Sequence, residues 1–488
     1  MVIESLKYKI LQQFGFAPTQ EQGQALDTFV SFLTDRDPQA VMILRGSAGT
    51  GKTSLSGAIV RTLLQIRQKV MLLAPTGRAA KVFSLGSGAP AYTIHRRIYR
   101  EKAFAGVDGQ FSLNDNLYTD TLFMVDEASM IANMGLGGTT FGSGCLLDDL
   151  VKFVYQGHND RLLLIGDKAQ LPPVGEEESP ALSASVMEGY GLKVYECDLN
   201  EVLRQSQSSG ILYNATLIRQ MITHDAVTGL PLIRFKGFAD IVMMPGAELV
   251  ESLGDSYHHV GMDETMVITR SNKRANIYNN GIRNMVLDRE EELSSGDMLM
   301  IVKNNYFWTE KEKKESGEGS AGAVPAFLAN GDRAKVLRVS NYIELYGFRF
   351  ATLLLQLPDY DDYEMQVTGM LDTLQSEAPA LTHEQQEELF MQVEEDYQHF
   401  VPLKADRMKS IRQDAYFNAL QIKYAYAVTC HKAQGGQWAH VYVDQGYMTD
   451  DMLTPDYIHW LYTAFTRATD KLFLVNWPKE QTCEPTDL

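Results

Sequence analysis

The sequence predicts an α/β protein with two parallel-sheet cores, a small hairpin insertion in the first core and a β-rich insertion in the second. Three observations carry this. Short unbroken apolar runs recur early, VMIL (41–44), VMLLA (70–74), TLFMVD (121–126) and RLLLIGD (161–167), each followed by a turn and a helical stretch. Continuous apolar strands alternating with helices mark a parallel sheet covered on both faces. A second set follows: TMVITR (265–270), YAYAVT (424–429), HVYVD (440–444) and KLFLV (471–475). Within that second set, residues 333–415 begin with the alternation of half-buried strands and then turn acidic and helical (HEQQEELFMQVEEDYQHF).

The elements follow in order. Thr19 is placed to cap a helix that begins near Gln20, with Leu26, Phe29, Val30 and Leu33 at helical spacing. The first core takes residues 1–84 and 119–198, interrupted at 85–118 by a small pin subdomain whose turn is AGVDGQFS (105–112). The second core takes 199–332 and 416–488, with 333–415 inserted. IANMGLGGTTFGSGC (131–145) is too rich in glycine for a stable helix and reads as a mobile loop. EKEKKESGEGSAGAVP (310–325) reads as a disordered linker or loop tip.

Composition bounds the function classes. The chain has 488 residues, 45% hydrophobic and 22% charged, an ordinary soluble composition long enough for about three domains. No run approaches the ~18 apolar residues of a membrane span, and Glu4, Lys7 and Lys9 spoil the N-terminus as a signal peptide. Four cysteines without a CxxC point to reduced thiols in a cytoplasm. Sixty-two acidic against 44 basic residues give a net charge of −18, whereas a nucleic-acid binder is usually basic. Any such binding here needs local clusters of positive charge.

One loop carries the first chemistry. Gly46, Ser47, Ala48, Gly49, Thr50, Gly51, Lys52 and Thr53 match GxxxxGK[ST] between a strand and a helix, the context of a phosphate-binding loop. Its glycines let backbone N–H groups approach phosphate oxygens at a helix N-terminus. Lys52 is expected to reach the β and γ phosphates of ATP, and the Thr53 hydroxyl to ligate Mg²⁺. At the end of a later strand, Asp126 is expected to hold the Mg²⁺ hydration shell and Glu127 to activate water. After a phosphate-binding loop, that carboxylate pair points to NTP hydrolysis.

Further motifs occupy other strand ends: APTGRAAK (74–81), TIHRR (93–97), LLLIGDKAQLPPVG (162–175), VTCHKAQGGQW (428–438) and YTAFTRATDKL (462–472). Together they resemble the motifs of superfamily 1 helicases, over nearly the whole chain and in the family's order. GDxxQLPPV, TGRAA and TIHR place the resemblance with the RecD-like and Dda-like B branch. The resemblance implies two RecA-like cores, with an SH3-like insertion that starts at ANGDRAKV (329–336). It implies that Gln22 reads adenine, that Gln170 senses the γ phosphate, and that Arg204 and Arg467 neutralise charge developing there. The resemblance also implies that Gly435 and Gln437 fall at nucleotide-binding positions. Leu203 and Gln437 depart from the aromatic and the glutamate common in relatives.

The resemblance also implies a single-strand groove. Pro75, Thr76, Arg78, Thr93, His95 and Arg96 would line it in the first core; Thr269, Arg270, Asn272, Lys273, Arg274, Thr429, His431 and Lys432 in the second. The expected protein is a monomeric ATP- and Mg²⁺-dependent DNA helicase, translocating 5′→3′, with single-stranded DNA and duplex–single-strand junctions as partners and no membrane. A hairpin around Val107, Asp108 and Gly109, flanked by Phe104 and Phe111, is the expected strand-separating pin. An RNA or RNA–DNA helicase stays open, because nothing singled out reads a 2′-hydroxyl. So does a nucleic-acid-stimulated ATPase clamp that does not unwind.

Overall fold

A computed structural model gives the fold. It describes residues 2–101, 111–135, 142–201, 208–223, 229–316, 324–325, 327–449 and 452–483. The expected pin turn, Arg204 with Leu203, and the centre of the Gly-rich 131–145 stretch lie outside the described residues. The chain divides into two compact units, one holding most of the chain up to Gly246 and from Ala433 onward, the other holding Ala247–Lys432.

The first unit is organised by β1 (Ala40–Gly46), β2 (Lys69–Ala74), β3 (Ala91–Thr93), β4 (Tyr99–Glu101), β5 (Phe111–Leu113), β6 (Thr121–Val125), β7 (Arg161–Gly166) and β8 (Lys193–Leu199). Six of them form one parallel sheet in the order β3-β2-β6-β7-β1-β8. The strands run as their apolar composition requires, buried on both faces. Met42 and Leu44 join one core cluster with Phe29, Leu55 and Leu63; Val41 and Ile43 join the opposite one with Phe123, Leu150 and Phe153. β4 and β5 pair antiparallel outside this sheet. The helix Gln20–Leu33 begins as expected: Thr19 and Gln22 form a reciprocal capping box. The same unit holds three further parallel strands, Trp438–Asp444 beside Ala468–Val475, which pairs in turn with Ile241–Met244.

The second unit contains a parallel pair, Thr265–Thr269 with Ala427–Thr429. It also contains a closed five-stranded barrel of Met298–Ile301, Arg333–Leu345, Phe348–Leu357, Tyr363–Met370 and Leu420–Tyr424. The barrel thus takes its first and last strands from outside 333–415. Two readings are corrected here. YAYAVT is not one strand: the barrel strand ends at Tyr424 and a new strand starts at Ala427. The buried Asn279 side chain holds the break, accepting the N–H groups of Tyr426 (3.1 Å) and Ala427 (2.7 Å) and donating to the Ala427 carbonyl at 3.0 Å. EKEKKES is not disordered but lies within the helix Phe307–Ser316. Its composition suits an exposed helix equally well, since Glu and Lys are strong helix formers and recur here at four-residue spacing. Among the described residues, no helix is long and apolar enough to cross a membrane.

At the entry to the Arg333–Leu345 strand lies a buried carboxyl. Asp332 is 1% exposed. Its Oδ2 accepts the Ala329 N–H and the Tyr360 hydroxyl, each at 2.7 Å, while its Oδ1 has no hydrogen-bond partner among the described residues. Burial, reinforced by Asp359, pushes its pKa up to about 7 against those two hydrogen bonds. The folded state therefore binds a proton that the unfolded state releases, so this group's contribution to stability is full below the unfolded carboxyl pKa and is lost as pH rises through about 7. Asp332→Asn keeps an acceptor for both donors and cannot ionise. Its melting temperature should exceed wild type at pH 8, on the order of 2–4 kcal/mol of stability, and the two should converge near pH 4, as thermal unfolding across that range will show.

Candidate active site

Parallel strands deliver their C-terminal ends to one edge of a sheet, where ligands bind in open α/β folds. β1 leads into the phosphate-binding loop there. Gly49 and Gly51 take positive φ (77° and 80°), as the loop needs before the helix Lys52–Gln65. A Cβ at Gly46 would lie 2.8 Å from the Lys52 side chain, so only glycine lets the loop fold over that lysine. Lys52 Nζ donates to the Ser47 carbonyl at 3.0 Å and to that of Gly46. Gln22 underpins the loop: its Nε2 donates to the Thr50 carbonyl at 2.9 Å and its Oε1 accepts the Thr19 N–H at 3.0 Å. Both ends of the amide are committed, so contact with adenine requires one of them to let go. Thr53 is exposed on the first turn of the helix.

β6 and β7 bring the rest of the chemistry. Asp126 follows β6; burial first and the neighbouring Glu127 second push its carboxyl up to about 7, with Lys52 acting against them. Glu127 has φ +52°, a left-handed conformation uncommon for glutamate and frequent at functional sites. From the loop after β7, Gln170 reaches two groups. With its amide oriented to satisfy both, nitrogen donates to Glu127 Oε2 at 3.3 Å and oxygen accepts from Arg467 Nη2 at 3.2 Å. Arg467 is 2% exposed and is seated by the carbonyls of Thr463 (3.1 Å) and Gly436 (3.2 Å). Lys52, Asp126, Glu127, Gln170 and Arg467 are thus gathered within one compact unit.

Several residues that shape this site gave no signal in the sequence. The Tyr462 hydroxyl accepts the Ala48 N–H at 3.0 Å and donates to Asp167 Oδ2 at 2.6 Å, tying the loop to the end of β7. Arg45 lies immediately before the loop and pairs with Asp198 (2.6 Å) and Glu196 (2.7 Å) on β8, anchoring the loop's root. Arg219, on the helix Gly210–Thr223, donates to Ser47 Oγ. All three are long-range contacts with no local sequence pattern.

The residues expected to hold a strand sort differently. Ala74 and Thr93 are register partners on β2 and β3, so Pro75, Thr76 and Arg78 emerge beside Thr93, His95 and Arg96. Thr76 and Thr93 are N-caps, accepting the N–H groups of Ala79 (3.2 Å) and Arg96 (3.3 Å). Arg78 donates to the Gln437 carbonyl and lies 4.7 Å from the centre of the Trp438 ring, so its guanidinium is engaged within the protein. Gly435, at φ +72°, lets this segment approach Thr76 and Ala79, where a Cβ would fall 3.1 Å from each. Burial pushes His95 down to about 4, so it is neutral at physiological pH. In the second unit Thr269 and Thr429 are register partners, which brings Arg270, Asn272 and Lys273 to the same edge as His431. Thr269 itself is fully buried, its hydroxyl donating to the Ser271 carbonyl at 3.1 Å. Lys273 forms an exposed 3.9 Å pair with Glu377. Lys432 is lowered to about 8 by burial and by Lys423, a second buried amine that the motifs had not singled out.

Comparison with known proteins joins these features. The AAA domain family model matches residues 17–229, and the UvrD-like helicase C-terminal domain model matches 424–475. The ATP-dependent RecD2 DNA helicase of Deinococcus radiodurans is 30% identical over 157 residues, covering 32% of this chain and 18% of that protein. The ATP-dependent DNA helicase dda of Enterobacteria phage T4 is 25% identical over 267 residues, covering 53% of this chain and 55% of the phage protein. These matches support the resemblance to B-branch superfamily 1 helicases that the motifs carry. The chain spans well under two thirds of either relative. A Bacteroides Pif1 helicase solved with ADP-AlF3 and single-stranded DNA has TM-score 0.45 and 13% identity, covering 96% of this chain and 95% of that one.

Within this candidate site, Glu127 has a definite test. Glu127→Gln keeps the side chain's shape but cannot accept a proton from water. Nucleotide affinity should be retained while steady-state ATP turnover falls by ~10²-fold or more. Weak binding with proportionate turnover would instead make Glu127 a structural residue.

Proposed function

We propose that the chain is an ATP-dependent DNA helicase that moves 5′→3′ along single-stranded DNA and opens duplex at junctions. The observation that carries this is the Glu127–Gln170–Arg467 linkage beside Lys52. It sets a base, a polar sensor and a buried guanidinium around the place where a triphosphate would end. In the proposed reaction water attacks the γ phosphorus and gives its proton to Glu127. The bond to the β–γ bridging oxygen breaks, and its electron pair leaves with ADP. Arg467 and Lys52 offset the charge that builds up on the transferring group.

The donor set also fits Mg²⁺, which binds through one or two protein oxygens plus substrate phosphates rather than in a full protein cage. Asp126, a carboxylate raised by burial and a like charge, gains most from a nearby cation. Thr53 and Asp126 would hold the metal, which when bound supplies neutralisation of the phosphates.

The DNA preference and the direction follow the branch to which RecD2 and Dda belong. The basic residues clustered at strand ends in each unit answer the acidic surplus. Partial duplexes with 5′ or 3′ tails, in DNA and RNA versions, test the reading. The 5′-tailed DNA should be unwound with ATP, and single-stranded DNA should stimulate hydrolysis. Arg467→Ala should lower stimulated kcat by about 10³-fold, the lower end for an arginine finger, with a modest loss of nucleotide affinity. ATP hydrolysis without unwinding of any tail would instead show a clamp, and unwinding confined to RNA would overturn the DNA assignment.

A further inference from the structure

Arg219 is the least explained charge at the nucleotide site. The residue is partly buried. It donates to Ser47 Oγ of the phosphate-binding loop and, at 3.4 Å, to the carbonyl of Asn200. Among the described residues no carboxylate pairs with it. Arg45, two residues before Ser47, shows the contrast: two carboxylates neutralise it. The Arg219 guanidinium thus holds one hydroxyl and one carbonyl, and its charge faces no carboxylate among the described residues. Its planar fork suits a phosphate.

The position narrows which phosphate. Lys52 Nζ lies 3.0 Å from the carbonyl of the same Ser47 whose hydroxyl Arg219 holds, and that lysine reaches the β and γ phosphates in loops of this kind. Arg219 also lies within electrostatic reach of Tyr462, which binds the next amide, Ala48, and Asp167. Asp167 begins the loop that carries Gln170. Arg219 therefore stands at the γ end of the site.

We propose that Arg219 is a further catalytic residue, a cation that leaves Ser47 to contact the terminal phosphate of bound ATP and remains on Ser47 when ADP is bound. This rests on the ATP-hydrolysing reading above. It makes the helix Gly210–Thr223 report which nucleotide is present.

The test uses the full chain with Arg219→Ala and Arg219→Lys, and Lys52→Ala as control. Steady-state ATPase, ATP and ADP affinity and melting temperature are measured for each. Arg219→Ala should lose about 10³-fold in kcat with ADP affinity and melting temperature at wild-type values. Arg219→Lys should recover part of the rate, since it keeps the charge without the fork. Wild-type turnover in Arg219→Ala beside an inactive Lys52→Ala would overturn the proposal and leave the site assignment standing. ATP and ADP affinities that fall together with the melting temperature would also overturn it, showing that Arg219 only props the loop. An active Lys52→Ala would overturn the hydrolysis reading itself and this proposal with it.

Discussion

A parallel sheet brings the C-terminal ends of its strands to a single edge, and the chemistry of this protein depends on that constraint. β1, β6 and β7 stand side by side in the sheet, with β7 between the other two. The phosphate-binding loop, the Asp126–Glu127 pair and the Asp167–Gln170 loop are therefore neighbours, although the chain between them is long. Unbroken burial on both faces fixes the strands that hold these loops. The site is precise because its loops are short extensions of a rigid sheet.

The contacts at that edge show how the parts act together. Gln170 is an uncharged amide between a carboxylate and a guanidinium, and it satisfies both with one side chain. Glu127 accepts a left-handed backbone to stand beside it. Tyr462 and Arg467 belong to the same helical segment and its end, so the tie from Ala48 to Asp167 and the guanidinium on Gln170 move with one element. In the proposed reaction, these polar contacts are the ones through which a change in the nucleotide would reach that helix.

The sequence revealed what is local and repetitive. Apolar runs located the strands, and Thr19 the helix start at Gln20. The glycine-rich loop before Lys52 and the carboxylates after a strand named the candidate reactive groups, which the fold brings into one unit. What it could not reveal is distant pairing. Arg45 finds Asp198 and Glu196 on β8, Tyr462 finds Ala48, and Arg219 finds Ser47, each through the folding of separate segments. Composition also misled: a run of Glu and Lys looks like solvated chain whether it is disordered or an exposed helix, and the helix Phe307–Ser316 took the second course. YAYAVT gave no sign of its break, because the agent of that break, Asn279, is remote in sequence. A residue type in a motif did not fix its duty either. Thr269 and Arg78 sit where strand contacts were expected, yet both are engaged within the protein.

The central claim is that Gln170 makes Glu127 and Arg467 one catalytic unit. A double-mutant cycle on Gln170→Ala and Arg467→Ala, read in single-strand-stimulated kcat, addresses it directly. Residues that act as a unit give strongly non-additive losses. The account predicts that the double variant is little worse than Arg467→Ala alone, with a coupling energy above about 1 kcal/mol. Losses that simply multiply would show that the two residues act independently, and would contradict it.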